Sequence, residues 1–180
     1  MKMPNICENT TDLAGHRDEP LHGKPGAATL VIGWGNDMLG DDAAGRCVAR
    51  EIAERNVPDV EALDVHQLTP ELALYIAKAK TVIFVDADAA AEQDAIRMER
   101  VLPAHTADRA APGHTGRPED LLAMAESLYG MRPEAWLIAV PVRSFEPGEA
   151  LSPVTRAGIR DAVDAIENLL NDHHLKGQTV

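Results

Sequence analysis

Asp42, Asp86 and His114 are the side chains of this 180-residue sequence best suited to holding a divalent transition metal. Two carboxylates supply hard oxygen donors and an imidazole a borderline nitrogen, a set that binds such a cation and leaves positions open for a substrate group. The three lie in separate stretches, TLVIGWGNDMLGDDAAG (29–45), TVIFVD (81–86) and GHTGRPED (113–120), so only the fold can gather them. A plainer account competes with this one. Asp41 and Asp42 open a helix pattern, where the macrodipole favours negative charge and acids cap free amides. Acids at strand ends are also common in α/β proteins, so pattern alone leaves both accounts open.

The elements that must position these groups follow from hydrophobic spacing. Thr29 to Ile32 is an apolar run too short for a helix and bounded by glycine, hence a buried strand. Gly33-Trp34-Gly35-Asn36 turns the chain, and a helix follows from Ala43 to Arg55 with its stripe at Ala44, Cys47, Val48, Ile52 and Ala53. Val60 to Val65 reads as a second strand. Thr69-Pro70-Glu71 starts a helix to Ala79, with a threonine cap and proline at the first helical position. Thr81 to Val85 is apolar on both sides and therefore a central strand, closed by Asp86. Ile96 to Leu102 suggests an edge strand, and Pro103 to Arg117, with His105 and His114, a long loop of the kind that carries function. Pro118 to Tyr129 is a helix ended by Gly130, Ala135 to Val142 the last strand, and Ser152-Pro153 opens a final helix to Asn171.

Strands alternating with helices predict right-handed crossovers and an α/β three-layer sandwich, with a twisted, mostly parallel five-stranded sheet flanked by helices on both faces. Ligands in such sheets bind beyond the carboxyl ends of the strands, which puts Asp42, Asp86 and His114 on one rim. Residues 1–28 are polar and without period, and read as a flexible extension ahead of a single domain over 29–180.

Composition narrows the classes of function. A net charge of −12 argues against a nucleic-acid partner, which needs clustered Lys and Arg. No apolar run reaches the ~18 residues of a membrane span, and no signal pattern opens the chain, so a cytoplasmic protein without membrane association is expected. Cys7 and Cys47 make no CxxC motif, and Cys47 falls in a helix as a small buried hydrophobe. Gly33-Trp34-Gly35 opens like a dinucleotide fingerprint, with Asp64 where a ribose-binding acid belongs. Met38 replaces the third glycine, however, and Asp41 and Asp42 would repel a pyrophosphate at the helix start. There is no GxSxG elbow, and Ser144 and Ser152 sit in a cap-like loop.

Four segments, taken in order, resemble the hydrogenase maturation proteases, the endopeptidases that trim the large subunit of nickel–iron hydrogenases. GWGNDMLGDDAAG resembles the family's glycine–asparagine turn with two acids, and VIFVDA its strand ending in aspartate. GHTGRPEDLLAMA resembles its histidine loop entering a helix, and PVRSFEPGEALSP its closing strand, Ser-x-Glu-Pro loop and helix start. The resemblance spans Thr29 to Leu170. It implies that Asp42, Asp86 and His114 contact nickel supplied by the precursor, although the best-studied members carry glutamate at the position of Asp42. It implies a metal-dependent or aspartic-type endopeptidase whose partner is the nickel-loaded large-subunit precursor, cut to remove its C-terminal extension. Asp41 and Asp64 are the candidates for the general base. Where the family has a Gly-Gly-Thr type loop this chain has His66-Gln67-Leu68. A nickel-sensing check-point or carrier that binds the precursor without cutting it is the alternative implied.

Overall fold

The computed structural model describes residues 27–91, 93–104 and 116–177, the stretch 172–177 by its backbone alone. Almost all of the expected extension over residues 1–28 lies outside the described residues, as do His105 and His114.

Strand β1 (Thr29–Trp34) enters a single 3-10 turn (Gly40–Ala43) and helix α1 (Ala44–Glu54), followed by β2 (Val60–Val65), α2 (Leu72–Ile76) and β3 (Thr81–Asp88). Then come β4 (Arg97–Arg100), α3 (Pro118–Tyr129), β5 (Glu134–Pro141) and α4 (Pro153–Gly177). The sheet order is β2-β1-β3-β5-β4, all neighbours parallel except β4 against β5. Alternate residues of the central strands serve different layers, as strand geometry requires. Val31, Ile83 and Val85 pack with Val48 and Ile52 of α1 and Val163 and Ile166 of α4. Leu30, Ile32, Val82 and Phe84 pack with Leu72 and Ile76 of α2 and Leu121 and Leu122 of α3. Two apolar layers, one on each face, bury β1 and β3 from both sides, which explains why these strands read as continuous apolar runs.

Three departures from the expected elements have local causes. Helix α2 is only Leu72–Ile76, because its first amides, Leu72, Ala73 and Leu74, bond three residues back, to Thr69, Pro70 and Glu71. Glu71, not Thr69, is its N-cap, without a side-chain cap bond. Strand β4 is four residues, RMER, mostly exposed at the sheet edge, where cross-strand bonding rather than burial defines it. Strand β3 runs past Val85 to Asp88, so Asp86 lies within it rather than after it.

That last departure makes a crevice. Pairing of β1 with β3 stops at Gly33 and Val85, whereas β3 continues along β5 as far as Asp88 and Pro141. Asp86 is therefore the first β3 residue whose β1 side is open. This is also where the connections diverge, β2 lying on one side of β1 and β3 on the other, the usual place for a ligand in an open α/β sheet.

Candidate functional site

Glycines bring Asp42 to this crevice. A Cβ on Gly33 would lie 1.9 Å from the Gly45 carbonyl oxygen, and one on Gly45 would lie 2.4 Å from the Val85 carbonyl and 2.6 Å from that of Trp34. The first turn of α1 thus rests directly on the carboxyl ends of β1 and β3. Gly35 adopts φ +139, open to glycine alone, and presses against the Asp42 carbonyl, where a Cβ would stand 1.9 Å away. The turn closes as the Asn36 N–H donates to Asp42 Oδ2 at 2.8 Å, while Asn36 Oδ1 accepts the Met38 N–H at 3.0 Å.

Asp86 accepts the Ala87 N–H at 2.9 Å through Oδ1. Burial pushes its carboxyl up to about 6, against an ordinary value of 3.8, and the negative charges of Asp42 and Asp88 push the same way. The Ala87 amide opposes them. Asp42 and Asp86 are thus brought together as two mutually repelling carboxylates, each with one oxygen held by a backbone amide and the other without a hydrogen bond from the described residues. A cation relieves that repulsion, and the donor set fits a divalent metal. Among the described residues no group of three potential ligands surrounds such a position. A metal held by three ligands there would need the third from elsewhere, and His114 lies outside the described residues. Helix α3 starts at Pro118, after Arg117 in extended conformation, on the Phe84 face of the sheet that Asp86 shares by alternation.

The structure gives the other two candidates different surroundings. Asp41 is completely buried, and its carboxylate accepts three backbone amides: Arg143 at 2.8 Å and Ser144 at 3.1 Å on Oδ2, Ser152 at 2.6 Å on Oδ1. Burial alone would raise its pKa, but the hydrogen bonds from Ser152 and Arg143, with help from Thr155, outweigh it and hold the group below its ordinary value. Such a carboxylate is a clamp on the loop after β5, poorly disposed to take a proton. Asp64, opposite Gly33 on β2, receives Arg46 at 3.1 Å and Arg50 at 2.7 Å on one oxygen, and the same two arginines reach Asp37 at 2.8 and 2.7 Å. Neither Asp41 nor Asp42 caps α1, whose N-cap is Ala43 without a side-chain bond. The capping account of the acid pair therefore does not describe this turn. Sequence reasoning missed the Asp37–Arg46–Arg50–Asp64 network. Its signal is the four-residue spacing of the arginines, which sets both on one face of α1.

No protein-family model and no curated protein matches the sequence. Solved structures do. The hydrogenase maturating endopeptidase HybD from E. coli aligns over 81% of this chain and 93% of its own at 28% identity and TM-score 0.65. A hydrogenase 2 maturation peptidase from Thaumarchaeota archaeon SCGC_AB-539-E09 aligns over 79% and 97% at 26% identity and TM-score 0.59. The NiFe hydrogenase maturation protease HycI from Thermococcus kodakarensis KOD1 aligns over 81% and 93% at TM-score 0.63, and its 24% identity speaks for the fold alone. The alignments cover nearly the whole of those chains, β1 to α4 here supplies the same sheet-and-helix architecture, and the chain is similar in sequence and fold to hydrogenase maturation proteases.

Proposed function

We propose that the chain is the endopeptidase that removes the C-terminal extension from the nickel-loaded large subunit of a nickel–iron hydrogenase, with Asp42, Asp86 and His114 contacting the nickel the precursor carries. The observation that supports this reading best is the pair of apposed carboxylates in the β1–β3 crevice, with Asp86 raised to about 6. Each keeps one oxygen fixed by an amide and the other available, so both can turn a donor toward a metal without rearranging the backbone. Bringing a cation to the pair removes the penalty of two like charges in a desolvated site, so a nickel-loaded precursor is preferred over an empty one. A divalent ion beside the scissile bond polarises its carbonyl and lowers the pKa of a bound water. Asp41 serves in this reading as the clamp that fixes the loop after β5, and Asp64 as an anchor for Arg46 and Arg50. Cleavage is cytoplasmic and depends on metal delivered by the substrate.

The test is incubation of the protein with nickel-loaded and nickel-free precursor, followed by intact-mass measurement. Loss of a C-terminal fragment from the loaded form alone is the expected result. Complex formation with no mass loss from either form would instead identify a check-point or carrier.

A further inference from the structure

We propose that Met38 and Phe145 form an apolar lip that receives an aliphatic side chain of the precursor polypeptide beside the bond being cut. This deepens the endopeptidase reading and rests on it. Met38 is 66% exposed and Phe145 43%, and both lie on loops that leave the carboxyl ends of parallel strands. Met38 precedes Asp42 in the turn after β1. Phe145 follows β5, whose end pairs with Asp88, two residues beyond Asp86, so the two loops flank the carboxylate crevice.

These loops are fastened to each other. The Asp41 carboxylate takes the amides of Arg143, Ser144 and Ser152, the Asp41 N–H donates to the Ser144 carbonyl at 3.0 Å, and the Gly148 N–H donates to the Met38 carbonyl at 3.1 Å. Gly40, at φ +49, passes so close that a Cβ there would stand 3.2 Å from the Ser144 carbonyl. Two large apolar side chains held out to water on fixed backbone, next to a candidate site, mark a place where a partner buries them. Glu146 and Glu149 are exposed on the same loop and the crevice is acidic, so an acidic segment is repelled. The occupant that fits is an extended, non-acidic stretch of polypeptide carrying Leu, Ile, Val or Met.

The test compares Met38→Gln, Phe145→Ser and the double variant with wild type for cleavage of nickel-loaded precursor and for its binding. Burial of a large apolar side chain predicts a KM and Kd raised about tenfold for Phe145→Ser and further in the double variant, with kcat little changed. Melting temperature should hold, because both side chains are exposed. Leu128→Ser is the control: Leu128 is 63% exposed at the end of α3, which leads into the start of β5 at the opposite end of the sheet, and its loss should leave KM unchanged. Wild-type KM and Kd in the double variant overturn the lip, and so does a fall in kcat at unchanged KM. Binding by wild type without cleavage would overturn the endopeptidase reading alone, and the Kd ratio would still decide the lip. No binding by wild type would overturn both.

Discussion

The two aspartates that matter most here are pushed in opposite directions by their surroundings, and each makes a different prediction. Asp86 has a folded pKa near 6 against 3.8 ordinarily, so the folded chain holds this proton more tightly than the unfolded one. Its favourable contribution is complete below about pH 4 and is lost as pH rises through 6. Asp86→Asn removes that loss and should stabilise the protein above pH 6 by roughly 1–3 kcal/mol, while abolishing processing. Thermal melts at pH 4.5 and 7.5 check it, and an equal shift at both would show that Asp86 is not held protonated by the fold. Asp41 is the reverse case: its lowered pKa adds stability above pH 4 that disappears as pH falls through the folded value. Asp41→Ala leaves three partly buried amides without their acceptor and should cost about 2–3 kcal/mol at pH 7, read as a lower denaturation midpoint. The arrangement of the candidate site was half legible in the sequence. Residue type and strand ends pick out Asp42 and Asp86, but which acid of the Asp41–Asp42 pair turns inward depends on amides about a hundred residues away, a contact no local pattern encodes.

Elements were legible where burial alone defines them and less so where contacts do. β1, β3 and β5 are apolar on both faces, and α1, α3 and α4 carry clear stripes, so spacing finds them. α2 shrank because its turns tighten after Pro70, and β4 is visible only through its pairing with β5. The extension of β3 to Asp88 was hidden because β5, not apolar patterning, carries its last residues. Glycine spacing, by contrast, announced the approach of α1 to the sheet without revealing how close it is. Gly33→Ala tests that approach: its Cβ would meet the Gly45 carbonyl, a backbone atom that cannot rotate aside, so α1 has to move. A loss of about 3 kcal/mol or more is expected, together with a lower Asp86 pKa as Asp42 retreats. Gly148→Ala is the matched comparison, since φ is +75 but no atom lies within 4 Å, and only about 1 kcal/mol of backbone strain is expected. Equal losses in the two variants would mean that strain, not helix-to-strand contact, makes position 33 a glycine.

At the scale of the whole molecule two electrostatic effects oppose each other, and added salt decides between them. The chain carries a net charge of −12, a surplus that repels itself and disfavours the compact state. Against this stand ion pairs such as Arg46 and Arg50 with Asp37 and Asp64, and Arg143 with Asp94. These side chains are partly exposed, and pairs of that kind contribute roughly 0–1 kcal/mol each. Composition displays the surplus at once, whereas the pairings needed the fold. At about 0.01 M salt the screening length is about 30 Å, so the surplus acts across the whole domain; at 0.1 M it is about 10 Å and only near neighbours interact. Screening therefore weakens the long-range repulsion more than the contact pairs, and the melting temperature should rise by a few degrees between those conditions. Arg50→Met increases the surplus while breaking two contacts, so its melting temperature should start lower and rise more steeply with salt. A melting temperature that falls on adding salt would mean that the Asp37–Arg46–Arg50–Asp64 network outweighs the net charge. The turn carrying Asp42 would then be held chiefly by ion pairs, and processing would weaken in step with stability as ionic strength increased.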